Sequence, residues 1–211
     1  MKSSNSYRLR LLIVFLGILL FSFLGLLIGD IPTAKMDVYN AFFNPSGDNM
    51  VELIITEIRF PRVSIAIISG AALAIAGMLM QTLFHNPLAG PYVLGINSGA
   101  SLMVALGLLS GIGFFNTELG LIGSALFGSF VFGLLILFTA SFLRNQIGLL
   151  LFGVMLGSFV AAIITILEAS SQAEALKAFA LWSMGSLNAV TLEQVPLIAL
   201  VFVLGCITTL F

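Results

Sequence analysis

Charge is nearly missing from this sequence. Eight basic and nine acidic residues make up 8% of 211, whereas 60% of the side chains are apolar and the mean hydropathy is +1.18. That is too little polar surface to clothe a water-soluble globule, so the chain belongs in a bilayer. Cysteine is missing except for Cys206, which lies in an apolar run; a disulfide framework is excluded and a buried, inert thiol is expected. With one histidine and one cysteine, the ligand clusters that zinc or haem ligation requires are lacking, and no metal or other cofactor is expected. No GxxxxGK[ST] phosphate loop is present, so the chain does not bind and hydrolyse ATP by that route. Nor does any run show the alternating polarity of a membrane barrel strand.

What is there is a series of apolar runs long enough to cross about 30 Å of hydrocarbon. Six are drawn, at residues 11–29, 63–84, 93–110, 119–143, 147–167 and 195–211. They predict an all-α, polytopic transmembrane bundle, because open strands cannot satisfy their backbone groups in lipid. The first run is too long and uniform for a signal-peptide core and is read as a retained helix. Away from their ends the spans carry no Asp, Glu, Lys, Arg or His, which removes the proton relay of a gradient-driven carrier and any catalytic dyad. The expectation is a transporter subunit, not an enzyme; if transport is active, another subunit supplies the energy.

Lys2, Arg8 and Arg10 precede the first span and place the N-terminus in the cytoplasm. Counted over the six-span topology, basic residues tie, with Arg144 joining those three inside and Lys35, Arg59, Arg62 and Lys177 outside. All nine acidic residues fall outside.

Small residues recur every four positions: Ala66, Gly70 and Ala74 in the second span, Gly120, Ser124 and Gly128 in the fourth, Gly153, Gly157 and Ala161 in the fifth. Each set makes a groove where another backbone can approach. Two external helices are also predicted. One starts at Asn49, which has capping-box spacing to Glu52 and follows the NPSG turn, with Val51, Ile54, Ile55 and Ile58 on one face. The other starts at Ser171, spaced likewise from Glu174, with Leu176, Phe179 and Ala180 as its stripe, Trp182 at the interface and Gly185 as C-cap.

The first external helix runs into IRFPRV, where Arg59 and Arg62 flank a proline suited to the start of a helix. On the outer face they oppose the positive-inside bias, and at a helix N-terminus they oppose its dipole by up to about 1 kcal/mol each. Two readings stand: arginines paired with Glu52 or Glu57, and a docking point for carboxylates of an external protein. A second break in the apolar pattern, QTLFHNPLAGPYVLGINSGA (Gln81 to Ala100), places His85, Asn86, two prolines and three glycines together. Pro87 and Pro91 end the second span, Gly95 and Gly99 let the third pack closely, and irregular backbone at this depth is tolerable where it lines an aqueous cavity.

RFPRVSIAIISGAALAIAGMLMQTLFHNPLAGPYVLGINSGAS closely resembles the second and third spans of the FecCD-type permeases, the membrane subunits of ABC importers for iron-siderophores, haem and cobalamin. LLLFGVMLG (Leu149 to Gly157) and LWSMGSLNAVTLEQV (Leu181 to Val195) extend the resemblance over nearly the whole chain. Gly90 stands where many members have an acidic residue, and Phe60 replaces a common leucine. The family resembles a bundle of about ten spans, each of the length a bilayer demands, so the chain is expected to be the N-terminal two thirds of such a permease, a fragment or a truncated product.

The resemblance implies partners: cytoplasmic ABC ATPase subunits, an extracytoplasmic substrate-binding protein and a second permease subunit, identical or not. The setting is the lipid of a bacterial cell membrane, and no nucleic acid is expected. It implies that Arg59 and Arg62 meet acidic residues of the binding protein, that Asn86 and Leu88 belong to a cytoplasmic gate opposed by Asn145 and Gln146, and that transport proceeds by alternating access. The runner-up is a secondary carrier or channel whose broken segment 81–100 is a discontinuous helix binding substrate near the midplane.

Overall fold

The computed structural model describes residues 2–45, 49–110, 117–143, 145–188 and 190–209, with side chains described except at 2–5, 118 and 146. Arg144 and the side chains of Lys2 and Gln146, all used in the sequence argument, therefore lie outside the described residues. Every regular element among the described residues is a helix. In chain order these are α1 (Lys2–Leu27), α2 (Lys35–Phe43), α3 (Met50–Leu53), a π-helical turn (Ile54–Arg59), α4 (Phe60–Phe84), α5 (Ile96–Leu109), α6 (Glu118–Phe142), α7 (Gln146–Ala169), α8 (Ala173–Met184) and α9 (Gln194–Thr208).

Among the described residues four helices are long and apolar enough to cross a membrane: Ser6–Leu27, Met50–Phe84, Leu119–Phe142 and Ile147–Ala169. Two of the six drawn spans are shorter as helices, 14 residues for α5 and 15 for α9. At 1.5 Å per residue α5 covers about 21 Å, less than the hydrocarbon thickness. The chain before it, where a span was drawn from residue 93, is a series of turns that gives way to helix at Ile96.

The chain divides into two compact units, Met1–Ala72 with Leu187–Phe211, and Leu73–Ser186. In the first, α1 ends just before Gly29 and Asp30. Asp37 Oδ2 accepts the Ala34 N–H at 2.7 Å to start α2, and Asn49 Oδ1 accepts the Val51 N–H at 3.0 Å to start α3. Asn49 is thus the expected N-cap, but the predicted box differs in detail: Glu52 Oε1 accepts from the Asn49 side-chain amide, at 3.3 Å. Val38, Ala41 and Ile55 form the core, with Leu26, Leu27 and Val51 packed against it, and Phe42 meets Phe60 edge-on, with ring centroids 5.3 Å apart.

The second unit has a cluster at each end. Val104, Ala105, Leu108 and Phe179 join α5 to α8, with Leu121, Ala125, Ile164 and Leu167 of α6 and α7 against them. At the other end Phe84, Ala89 and Leu94 meet Ile136 and Leu149, with Ala140 and Leu150 partly buried alongside. Two expectations for α8 are corrected. Its N-cap is Gln172, not Ser171, because the Ser171 hydroxyl donates to Leu167 O at 2.5 Å and belongs to the end of α7. Its inward face is Ala175, Phe179 and Trp182, with Leu176 and Ala180 exposed. Trp182 stacks on Phe179 at 6.2 Å. Gly185 closes the helix as expected, at φ 73°, with its N–H donating to Trp182 O.

Candidate functional site

The first candidate is the region where α1 ends and α4 begins. Helices leave their last carbonyls without intrahelical donors, and at α1 these are met from 32 and 33 residues further along the chain. Arg59 Nη1 donates to Leu26 O (2.8 Å), Leu27 O (3.0 Å) and Thr33 Oγ1 (2.9 Å), and Nη2 donates to Ile31 O (2.6 Å). Thr33 Oγ1 in turn donates to Leu27 O at 2.6 Å. A cation at a helix C-terminus also suits the helix dipole. Arg59 is 7% exposed. The guanidinium is thus occupied by four oxygens and closes a helix end. Gly29 lies so close that an added Cβ would fall 2.6 Å from Arg59 Nη2.

Arg62 differs. It is half-buried, and among the described residues its Nε, itself out of solvent, meets no hydrogen-bond partner. Arg62 lines a cleft of about 310 Å³ with Asp30, Arg59 and the apolar side chains of Ile28, Ile54 and Ile58. A guanidinium of this kind can hold a carboxylate by charge-assisted hydrogen bonds.

The second candidate is the irregular segment between α4 and α5. His85 has φ 46°, a left-handed conformation uncommon outside glycine. Asn86 then organises a turn: its N–H donates to Gln81 O, its Oδ1 accepts the Leu88 N–H at 2.9 Å and its carbonyl accepts the Ala89 N–H. Gln81 Nε2 donates to Pro87 O at 3.2 Å. The turn leaves Leu88 73% exposed while Ala89 and Leu94 are buried. Asn145 is the N-cap of α7, its Oδ1 accepting the Ile147 N–H at 3.0 Å. Both expected gate segments adjoin one cluster, since Ala89 and Leu94 pack with Ile136 and Leu149; that puts them at the same end of this unit. Asn86 and Asn145 shape their own turns, and Leu88 is the side chain presented outward.

The small residues part into two groups. Gly95 enters α5 at φ 78°, and a Cβ there would lie 3.1 Å from Gly153 O. A Cβ on Gly153 would lie 2.8 Å from the Leu94 Cα, and one on Gly157 3.3 Å from Ser98 Oγ. Gly99 faces Gly128 so closely that neither could carry a side chain. Gly120 and Ser124 are buried on that same face of α6, with Ser124 Oγ donating to Gly120 O at 2.7 Å. Ala66, Gly70, Ala74 and Ala161 are instead exposed, and a Cβ on Gly70 would meet nothing within 4 Å.

Thr33, Gly29 and the carbonyls at the end of α1 were not singled out in the sequence. Gly-Asp directly after an apolar run signals the turn, but nothing local names a donor some thirty residues away. No group of three or more His, Cys, Asp or Glu side chains among the described residues could hold a metal ion.

Compared with known proteins, residues 16–211 match the model of a family described as the FecCD transport family. The hemin transport system permease protein HmuU of Yersinia pestis is 36% identical over 180 residues, which is 82% of this chain and 53% of that protein. The vitamin B12 import system permease protein BtuC of Photorhabdus laumondii is 32% identical over 94% of this chain and 56% of that protein. A solved metal-chelate type ABC transporter in an inward-facing conformation superposes with a TM-score of 0.76 at 27% identity, over 94% of this chain and 60% of that one. The chain thus spans about half the length of the curated relatives it matches.

Proposed function

The chain belongs to the FecCD transport family, a family of membrane transport permeases, and from that membership we propose that it is the membrane-spanning part of a binding-protein-dependent ABC importer. The observation that carries the reading is the family match across residues 16–211. Its cargo is proposed to be a bulky chelate of the iron-siderophore, haem or cobalamin type; the names of the hemin and vitamin B12 permeases support that class. Separate cytoplasmic ATPase subunits supply the energy, a substrate-binding protein delivers the cargo from outside, and a second permease subunit completes the pathway. The membrane is that of a bacterial cell, with the N-terminus in the cytoplasm, as Lys2, Arg8 and Arg10 imply.

In this mechanism the binding protein docks on the side where α1 ends. Arg62 offers its guanidinium to a carboxylate of that partner, and Arg59 keeps the platform in shape by closing α1. At the cytoplasmic end the Asn86 turn presents Leu88 as the gating side chain, opposed by the turn that Asn145 caps and Gln146 continues. Tightly packed glycine contacts between α5, α6 and α7 let those helices move as one body when access alternates. A route without fixed charge suits a large ligand that must pass without being held.

The test is uptake into vesicles by the full permease assembled with its ATPase and binding protein. Accumulation that needs ATP and the loaded binding protein is expected; accumulation driven by a proton or sodium gradient without them rejects the importer. Reversing Arg62 to Glu should weaken binding-protein affinity and flatten its salt dependence, and an unchanged affinity removes Arg62 from the docking surface.

A further inference from the structure

Helix α2 is apolar on two opposite sides, and only one of them is covered by its own unit. Val38 and Ala41 are buried against Leu26, Leu27, Val51 and Ile55. At about 100° per residue, Met36, Tyr39 and Phe43 fall within roughly 60° of one another on the opposite side. All three are open, at 65%, 55% and 76% exposure, and Tyr39 stacks on Phe43 with ring centroids 5.1 Å apart. A surface helix facing water carries polar groups there.

The position of α2 says what covers that face. Side chains leave a helix sideways, so an element packed on Leu26 and Leu27 lies against the flank of the last turn of α1. That turn ends the apolar span Ser6–Leu27, which is the depth where hydrocarbon gives way to headgroups. The connector cannot lift α2 away, because Arg59 binds Leu26, Leu27, Ile31 and Thr33 together. Lys35, exposed at the start of α2, has the long stem that reaches headgroups, and tyrosine is enriched at this level for its apolar ring and polar tip.

We infer that α2 is an interfacial helix whose Met36, Tyr39 and Phe43 face lies in the headgroup–acyl boundary of the bilayer, so that the partner of this surface is lipid. The inference rests on the membrane reading alone and stands or falls separately from the importer.

The test places an indole on the face. In the 211-residue chain with Trp182→Phe, either Met36→Trp or Tyr39→Trp is introduced, and the protein is reconstituted into vesicles of phosphatidylcholine and phosphatidylglycerol. Acyl-brominated lipid labelled near the carbonyl should quench the new emission several-fold more than lipid labelled at the chain end, with a blue-shifted maximum and little quenching by aqueous iodide. Quenching by iodide but not by brominated lipid overturns the proposal. So does lipid quenching that disappears as the protein-to-lipid ratio rises, which would put a second copy over the face, or on adding the binding protein, which would put that partner there. Two single positions keep the result readable if one variant fails to fold.

Discussion

The two compact units are held by different means. Around the end of α1 the fixing element is a polar side chain with directed hydrogen bonds, Arg59 on four oxygens. Between α5, α6 and α7 it is the lack of side chains, with Gly99 on Gly128 and Gly95 on Gly153. The difference follows from what each place has to satisfy. A helix end with open carbonyls needs donors, whereas two helix bodies whose backbone groups are already paired need only shape. The first region should therefore be sensitive to donor geometry and the second to volume.

Five substitutions at four positions test that contrast, each read as thermal unfolding of the reconstituted protein. Gly128→Leu should have the largest effect, about 3 kcal/mol or more, since the new side chain runs into the Gly99 backbone, which cannot give way as the neighbouring Met103 side chain can. Arg59→Ala should follow at about 3 kcal/mol, by leaving the α1 carbonyls without their donors, and Arg59→Lys should recover less than half because one ammonium cannot span the same acceptors. If lysine restores stability fully, the directed-bond account fails. Gly95→Ala should cost roughly 1–2 kcal/mol, from the left-handed backbone and the approach of Gly153 O. Gly70→Leu should change stability by no more than about 0.5 kcal/mol in this chain, since nothing stands within 4 Å of that position. A cost there equal to that at Gly128 would erase the distinction between a glycine in a contact and a glycine merely spaced like one.

Much of the architecture was legible in the sequence for one reason: apolar length in a bilayer leaves helices as the only outcome. The Asn49 and Gly185 caps were readable because capping chemistry is local. Helix faces were harder. Four-residue spacing is the same for Gly120, Ser124 and Gly128, which are buried, as for Ala66, Gly70 and Ala74, which are exposed. Spacing records that a neighbour could approach, not that this chain supplies one. α8 was misphased because leucine and alanine at 176 and 180 look as apolar as the residues at 175 and 182 that turn inward. Of the site, the two arginines and the Asn86 turn were visible as motifs. The bonding of Arg59 was not, since three of its four acceptors are main-chain oxygens, which every residue has and no motif marks.

The π-helical turn at Ile54–Arg59 has a consequence of its own. Phe60 N–H bonds to Ile55 O, five residues back, so the helix holds one residue more there than an α-helical turn would. Such a turn acts as a phase shifter. It sets the rotation of everything before it against everything after it, and deleting one residue would swing the upstream face by about 100°. The clasp on α1 and the start of the span that follows are thereby held in one rotational register, so that an insertion or deletion within the turn would unseat one or the other.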